Sequence, residues 1–589
     1  MPRPPKVSSN PLEANKTNKE QKLEKKGERD DIPTNQHVSH TVLTVCENFR
    51  LNEICYMRSH LRKRAPKDDL LTSLKIVGIA PIATMLLVGC AATGLQVSPL
   101  PTATITSDPK NEVSIGTLNR ITWGDDATAT SQANRIGVPR FVEQQLRAGV
   151  TPDLPAAVQT RIAAMTIVQR PTDQLVYELE QRRKDSEAIA NDDDKKAAQQ
   201  AYQRELTRLG NEAATRALLR ALYDANQLQE QMTWFWMNHF NIYQYKNNVR
   251  AMIGDFEEQA IRPHALGHFR DLLSATVHHA AMLRYLDNEQ NAVGHINENY
   301  ARELMELHTL GIGGGYTQTD VQELARILTG LGLNLTGKPP NVRRELQAQY
   351  VRVGLFEFNP NRHDYGDKVF LGQAIKGRGL GEVDEVIDYL SRQPATARFI
   401  SRKLAIYFVA DDPSKALVDR MAATFLQSDG DIAMTLRAMF DSPEFSASLG
   451  KKFKDPVHYV VSAVRLAYAD KPILNAGPML GWLNRMGEPL YGKQTPDGYS
   501  MTSAAWASPG QMTTRFEIAK AIGTGNAGLF KTEGPDPIER PAFPQLSNAL
   551  YFQSIQPSLG PATRQALDQA ISPQEWNTFL LASPEFMNR

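Results

Sequence analysis

From about residue 113 onward, apolar residues recur at three- and four-residue spacing, the period of an α-helix that buries one face. The pattern runs through residues 215–243, 297–310, 319–333, 396–409, 414–426 and 431–440, and each stretch predicts a helix. Strands do not alternate with helices, so a parallel α/β architecture is not expected. The predicted fold is mostly α, a single large multi-helical body over 113–589 with a minor β-hairpin and loop region near 342–371, where QYVRVGLFEF suits a short strand pair. Residues 181–205 are charged with little apolar face and read as a solvated helical insertion. Residues 485–511 hold four Gly and three Pro and read as a long loop of the kind that carries function.

Composition then narrows the classes. With 589 residues, 41% hydrophobic and 22% charged, the chain has ample material for a core and is neither disordered nor a multispanning membrane protein. Lys and Arg number 66 against 65 Asp and Glu, so there is no basic excess to neutralise a phosphate backbone, and nucleic acid is not an expected partner. The three cysteines, Cys46, Cys55 and Cys90, all lie early in the chain, which excludes a disulfide framework or a Cys-rich zinc site in the body.

Before the helical body, the 76–88 run IVGIAPIATMLLV is too short to span a bilayer and follows Arg62, Lys63, Arg64, Lys67 and Lys75. That is the layout of a secretory signal, and its ending, LVGC, resembles a bacterial lipobox in which Cys90 becomes the lipidated first residue. The expected organisation is a disordered or untranslated leader over 1–56, a lipoprotein signal over 57–89, a flexible tether over 90–112, and the helical body. Residues 1–89 hold 15 Lys and Arg against 10 Asp and Glu, so the remainder, 51 against 55, is mildly acidic. The expected location is the cell envelope, lipid-anchored, with Ala91 after the cysteine favouring an outer membrane where one exists.

Two helical segments carry anomalous polar groups. In 232–243, the positions 232, 235, 236, 239, 240 and 243 share a face and are Met, Phe, Trp, His, Phe and Tyr, which puts His239 inside an aromatic surface. It is either a core histidine bonded to a carbonyl or a catalytic or ligating group. In 297–311, Glu298, Arg302 and Glu306 form an ordinary ion-pair ladder, whereas Glu303 and His308 fall in the apolar arc, about 140° apart on an ideal helix. A buried carboxylate must be paired, metal-bound or protonated, so Glu303 is either a structural tie or a site residue. His363 and Asp364 lie in a turn-rich segment where side chains are free to converge on a site. With His239, Glu303 and His308 they would supply an acid and base pair or a divalent metal site, its metal unknown. Tyr491, Tyr499 and Trp506 of the long loop are the expected substrate contacts. No metalloprotease, di-iron, nucleophile-elbow or phosphate-loop motif is present, and His264 with His268 and His278 with His279 read as surface or packing residues.

Taken together, LNRITWG at 118–124, FWMNHF at 235–240, residues 297–317 with Asp320, HDYGDKVFLG at 363–372, FISRKL at 399–404 and SPEF at 442–445 with its echo at 583–586 resemble the bacterial family called domain of unknown function 1800. The resemblance covers roughly 113–589. It implies exported proteins without an established reaction, often encoded beside another exported family of sulfatase-like or phosphatase-like fold. The charged insertion near 185–205 and Gly498-Tyr499, in place of Gly-Trp, depart from the family pattern. Two functions are therefore expected: a hydrolase or oxidoreductase using the His and Glu cluster, or a lipid-anchored scaffold or assembly partner of a neighbouring exported sulfatase-like protein.

Overall fold

In the computed structural model, residues 109–147, 154–532 and 543–589 are described, and all belong to one compact unit. The leader, the signal, Cys90 and the tether up to residue 108 lie outside them. The body is mostly α-helical with two small sheets among the described residues. Helix α1 spans Pro109–Ile121; α2, Thr172–Ala188, and α3, Asp192–Tyr223, fold back on each other about the N-cap Asn191. The charged 181–205 excursion is thus a helical hairpin. Pairs such as Arg183 with Glu187 and Arg208 with Glu212 decorate its outer side, while Leu175, Leu206 and Leu209 pack inward.

The 215–243 run is broken at Asp224, and its helix ends at His239, so residues 240–243 are not helical as expected. Asp224 ends α3 in an extended conformation and accepts from the Asn226 amide at 2.9 Å, an Asx turn that restarts the chain as α4, Gln227–His239. Nearly every residue of α4 is buried, including Met232, Phe235 and Trp236, as a helix apolar on most of its circumference requires. Each such large side chain contributes roughly 1.5–3 kcal/mol of burial.

The 297–310 helix is regular only over α5, Asn299–Glu303, and then widens into a π-turn over Leu304–Thr309. Next come α6, Gln318–Ile327, capped by Thr317 and Asp320 in a reciprocal box, then α7, Leu380–Ser391, and α8, Pro394–Phe408. The expected continuation of helix to 333 does not occur. Gly330 takes φ +86°, and its neighbours Leu331–Leu333 become strand β1, paired antiparallel with β3, Phe356–Phe358, which also pairs with β2, Val351–Val353. A second hairpin joins β4, Lys368–Phe370, to β5, Gln373–Ile375. Helices α9, Pro456–Tyr468, α10, Pro509–Gly523, and α11, Pro573–Leu581, close the body. Among the described residues no helix is long and apolar enough to cross a membrane.

Candidate functional site

His239 is the last residue of α4 and is fully buried between Phe235, Phe240 and Phe399. Its Nε2 lies 3.1 Å from the carbonyl oxygen of His308, which can only accept, so Nε2 carries the proton. Nδ1 is then the acceptor, and it receives the Lys403 ammonium at 2.9 Å. Burial, followed by the charge of Lys403, holds the His239 pKa well below the usual imidazole value, so the ring is neutral. Lys403, on α8, is partly buried and has no carboxylate within ion-pair distance among the described residues. Burial pulls its pKa down to about 8, opposed by Asp497.

The π-turn changes the relation between Glu303 and His308. Thr309 Oγ1 donates to the Leu304 oxygen at 2.7 Å and the Leu310 amide to the Met305 oxygen at 2.9 Å, so residues five apart come closer to one line than an ideal helix allows. His308 is fully buried against Phe240 and Tyr300, and among the described residues neither of its ring nitrogens has a hydrogen-bond partner. Burial, then Lys403, takes its pKa down to about 3. Glu303 is not buried as the helical wheel implies: it is partly exposed, because it stands at the mouth of the π-turn, and it makes no hydrogen bond or salt bridge among the described residues. Partial burial and the neighbouring Glu306 push its carboxyl above the usual range.

The long loop lies over this group. Asn238 Nδ2 donates to the Tyr499 oxygen at 3.0 Å, and its Oδ1 accepts from the Tyr499 amide at 2.6 Å. Asn241 Nδ2 donates to the oxygens of Lys493 and Thr495 at 3.0 and 2.9 Å, and Tyr285 Oη to that of Gln494 at 2.7 Å. These bonds dock the loop on α4, and the charge of Asp497 within it opposes the downward pull of burial on Lys403 and adds to the upward push on Glu303 and on Tyr285. The loop's aromatic polar ends are spent elsewhere. Tyr491 bonds Glu257 at 2.5 Å, Tyr499 bonds the Pro489 oxygen at 2.8 Å, and the Trp506 indole bonds the Ser500 oxygen at 2.8 Å.

A family model described as "Protein of unknown function (DUF1800)" matches residues 116–588. The chain belongs to the DUF1800 family. No curated protein and no solved structure matches it.

In this DUF1800 chain the 363–364 turn forms a separate centre. His363 Nδ1 bonds the Thr329 oxygen at 2.8 Å and Nε2 bonds Glu382 at 3.0 Å, all buried, and Lys368 closes on the same carboxylate at 2.5 Å. Asp364 is held by Arg326 at 2.8 Å. The structure therefore does not bring His363 or Asp364 into contact with His239; both are enclosed by their own partners. Among the described residues no three His, Cys, Asp or Glu side chains gather as a metal ion would need. Concavities of about 990 Å³ between α2 and α3, and of about 380 Å³ at Asp411, Lys452 and Ser503, are not lined by Lys403 or Glu303. Lys403, Asp497, Asn238 and Asn241 are the residues that sequence reasoning passes over. A signal for Lys403 existed, since it stands three residues after Ile400 and four before Tyr407, both buried.

Proposed function

We propose that this protein is an envelope enzyme, anchored through a lipidated Cys90, that performs acid–base chemistry of the hydrolytic kind at Lys403, His239 and Glu303. The observation that carries the reading is the 2.9 Å bond from Lys403 to a neutral imidazole in place of a carboxylate. With a pKa of about 8, roughly a tenth of Lys403 is neutral at pH 7, enough for a general base. Glu303, which has no bonded partner among the described residues and whose carboxyl is pushed upward first by burial, is the second group of this reading, and His239, held in one tautomer by the His308 oxygen, positions the amine.

Hydrolysis of a panel of chromogenic esters, amides and glycosides by the full chain is expected to disappear in Lys403→Met and Glu303→Gln while circular dichroism is unchanged. Activity that survives both substitutions rejects the site. For the anchor, Cys90→Ser is expected to move the protein from the membrane fraction to the soluble fraction and to remove the lipid mass from the mature N-terminus. Unchanged fractionation rejects it.

A further inference from the structure

Some exposed lysines of this protein sit against carboxylates. Lys376 meets Asp367 and Lys415 meets Asp419, each at 2.5 Å. Lys403 departs from this. Its hydrogen bond goes to the Nδ1 lone pair of His239, an acceptor with no net charge, and its Nζ lies 5.6 Å from the centre of the Phe399 ring. The ring's other nitrogen is committed to the His308 carbonyl, so the imidazole cannot turn away and its lone pair stays aimed at the amine. The side chain remains partly exposed, and the charge of Asp497 on the long loop acts on it. An amine that is desolvated, uncompensated by an anion and still reachable is arranged to act as a nucleophile, and not only to carry charge.

We propose that Lys403 is a nucleophilic amine that condenses with a carbonyl compound, an aldehyde or a ketone, to form an imine at this site. The inference rests on the reading of Lys403, His239 and Glu303 as a reactive group, and adds a covalent step to it. The Nζ lone pair forms a C–N bond to the carbonyl carbon, and the C=O π pair moves to oxygen, which takes one N–H proton to give a carbinolamine. The C–O bond then breaks as the nitrogen lone pair forms the second C–N bond, and the hydroxyl leaves as water with a proton taken from solvent. The nitrogen's remaining proton returns to solvent, leaving C=N. No oxidant or reductant enters.

The test treats the full chain at pH 7 with glycolaldehyde and sodium cyanoborohydride, which fixes an imine as a stable secondary amine, and in parallel with acetic anhydride, which acylates any neutral amine. Peptide mass mapping then compares Lys403 with Lys376 and Lys415, whose side chains are 77% and 83% exposed. A pKa of about 8 against an ordinary lysine gives roughly 200-fold more neutral amine at pH 7, so Lys403 is expected to label at least ten-fold faster with both reagents despite its partial burial. Fast acylation without preferential aldehyde trapping overturns the imine and leaves the acid–base reading standing. No preference with either reagent overturns both.

Discussion

Glu303 and Glu382 show how two carboxylates on one body take opposite roles. Glu303 has no bonded partner among the described residues, and burial followed by Glu306 pushes its carboxyl above the usual range, so folding shifts it toward its protonated form. The sign follows: its ionised form is a burden at pH 7 that vanishes below the ordinary carboxyl range. Glu303→Gln is therefore expected to leave the melting temperature unchanged or higher at pH 7, with any gain closing by pH 4, as a residue kept for chemistry and not for stability should behave. A clear drop in melting temperature at pH 7 marks Glu303 as a structural tie. Glu382 is the reverse case. Burial would raise its carboxyl, but hydrogen bonds from His363 and Lys368 outweigh that and hold it below the usual range. Its contribution is present at neutral pH and is lost as pH falls through that lowered value. Glu382→Leu leaves Lys368 and His363 buried without their acceptor, and is expected to cost about 3–5 kcal/mol in urea unfolding.

At the scale of elements, the long loop is a docked strap whose fit depends on one glycine. Gly498 has φ +76°, and a Cβ built there would stand 2.2 Å from the Asn238 backbone oxygen. Gly498→Ala is expected to release the 486–508 loop, seen as new proteolytic cleavage between Lys493 and Ser500, while the helical circular dichroism is retained. Asn238→Ala removes both bonds to Tyr499 and is expected to do the same more weakly, at roughly 1–3 kcal/mol. The element scale is also where the sequence was most and least legible. Helices α4 and α8 followed from apolar spacing, as did those expected over 414–426 and 431–440, whose caps the structure shows to be Ser414 and Asp431. The stop at Gly330 was passed over because Leu328, Leu331 and Leu333 keep up an apolar spacing across it, although the glycine is itself a helix-stop signal. The π-turn at Leu304–Thr309 was invisible because the wheel assumes 3.6 residues per turn, and that assumption buried Glu303 on paper. The pairing of Lys403 with His239 spans 164 positions, so no window-based pattern reports it. His363 looked like a site residue because it stands in a turn, yet its loop is folded inward onto Glu382.

Over the whole molecule, buried arginines join segments that are hundreds of positions apart. Arg120 of α1 donates to Ser448 Oγ at 2.9 Å and to the oxygens of Ser448 and Arg589 at 2.6 and 2.5 Å, and also reaches the Phe408 oxygen. Arg589 in turn bonds the Tyr407 oxygen at 2.8 Å and Gln231 at 3.1 Å, beside the amide pairing of residues 452–454 with 587–589. Arg515 donates to the Lys454 oxygen at 2.7 Å. The two ends of the 116–588 family region therefore meet in the core, at the base of α4 and α8, the helices that present His239 and Lys403. A closed tie of this kind couples the ends to the site, so the body is expected to unfold as one unit and not as separate lobes. Arg120→Met removes the shared donor, leaving buried carbonyls that each cost about 1–3 kcal/mol when unpaired. Calorimetry is expected to show a single transition at a markedly lower temperature, with calorimetric and van't Hoff enthalpies still equal. Two resolved transitions in the native protein, with the Lys403 environment surviving the first, would show instead that the site belongs to an independently stable part, and that the arginine tie holds the ends without supporting the chemistry.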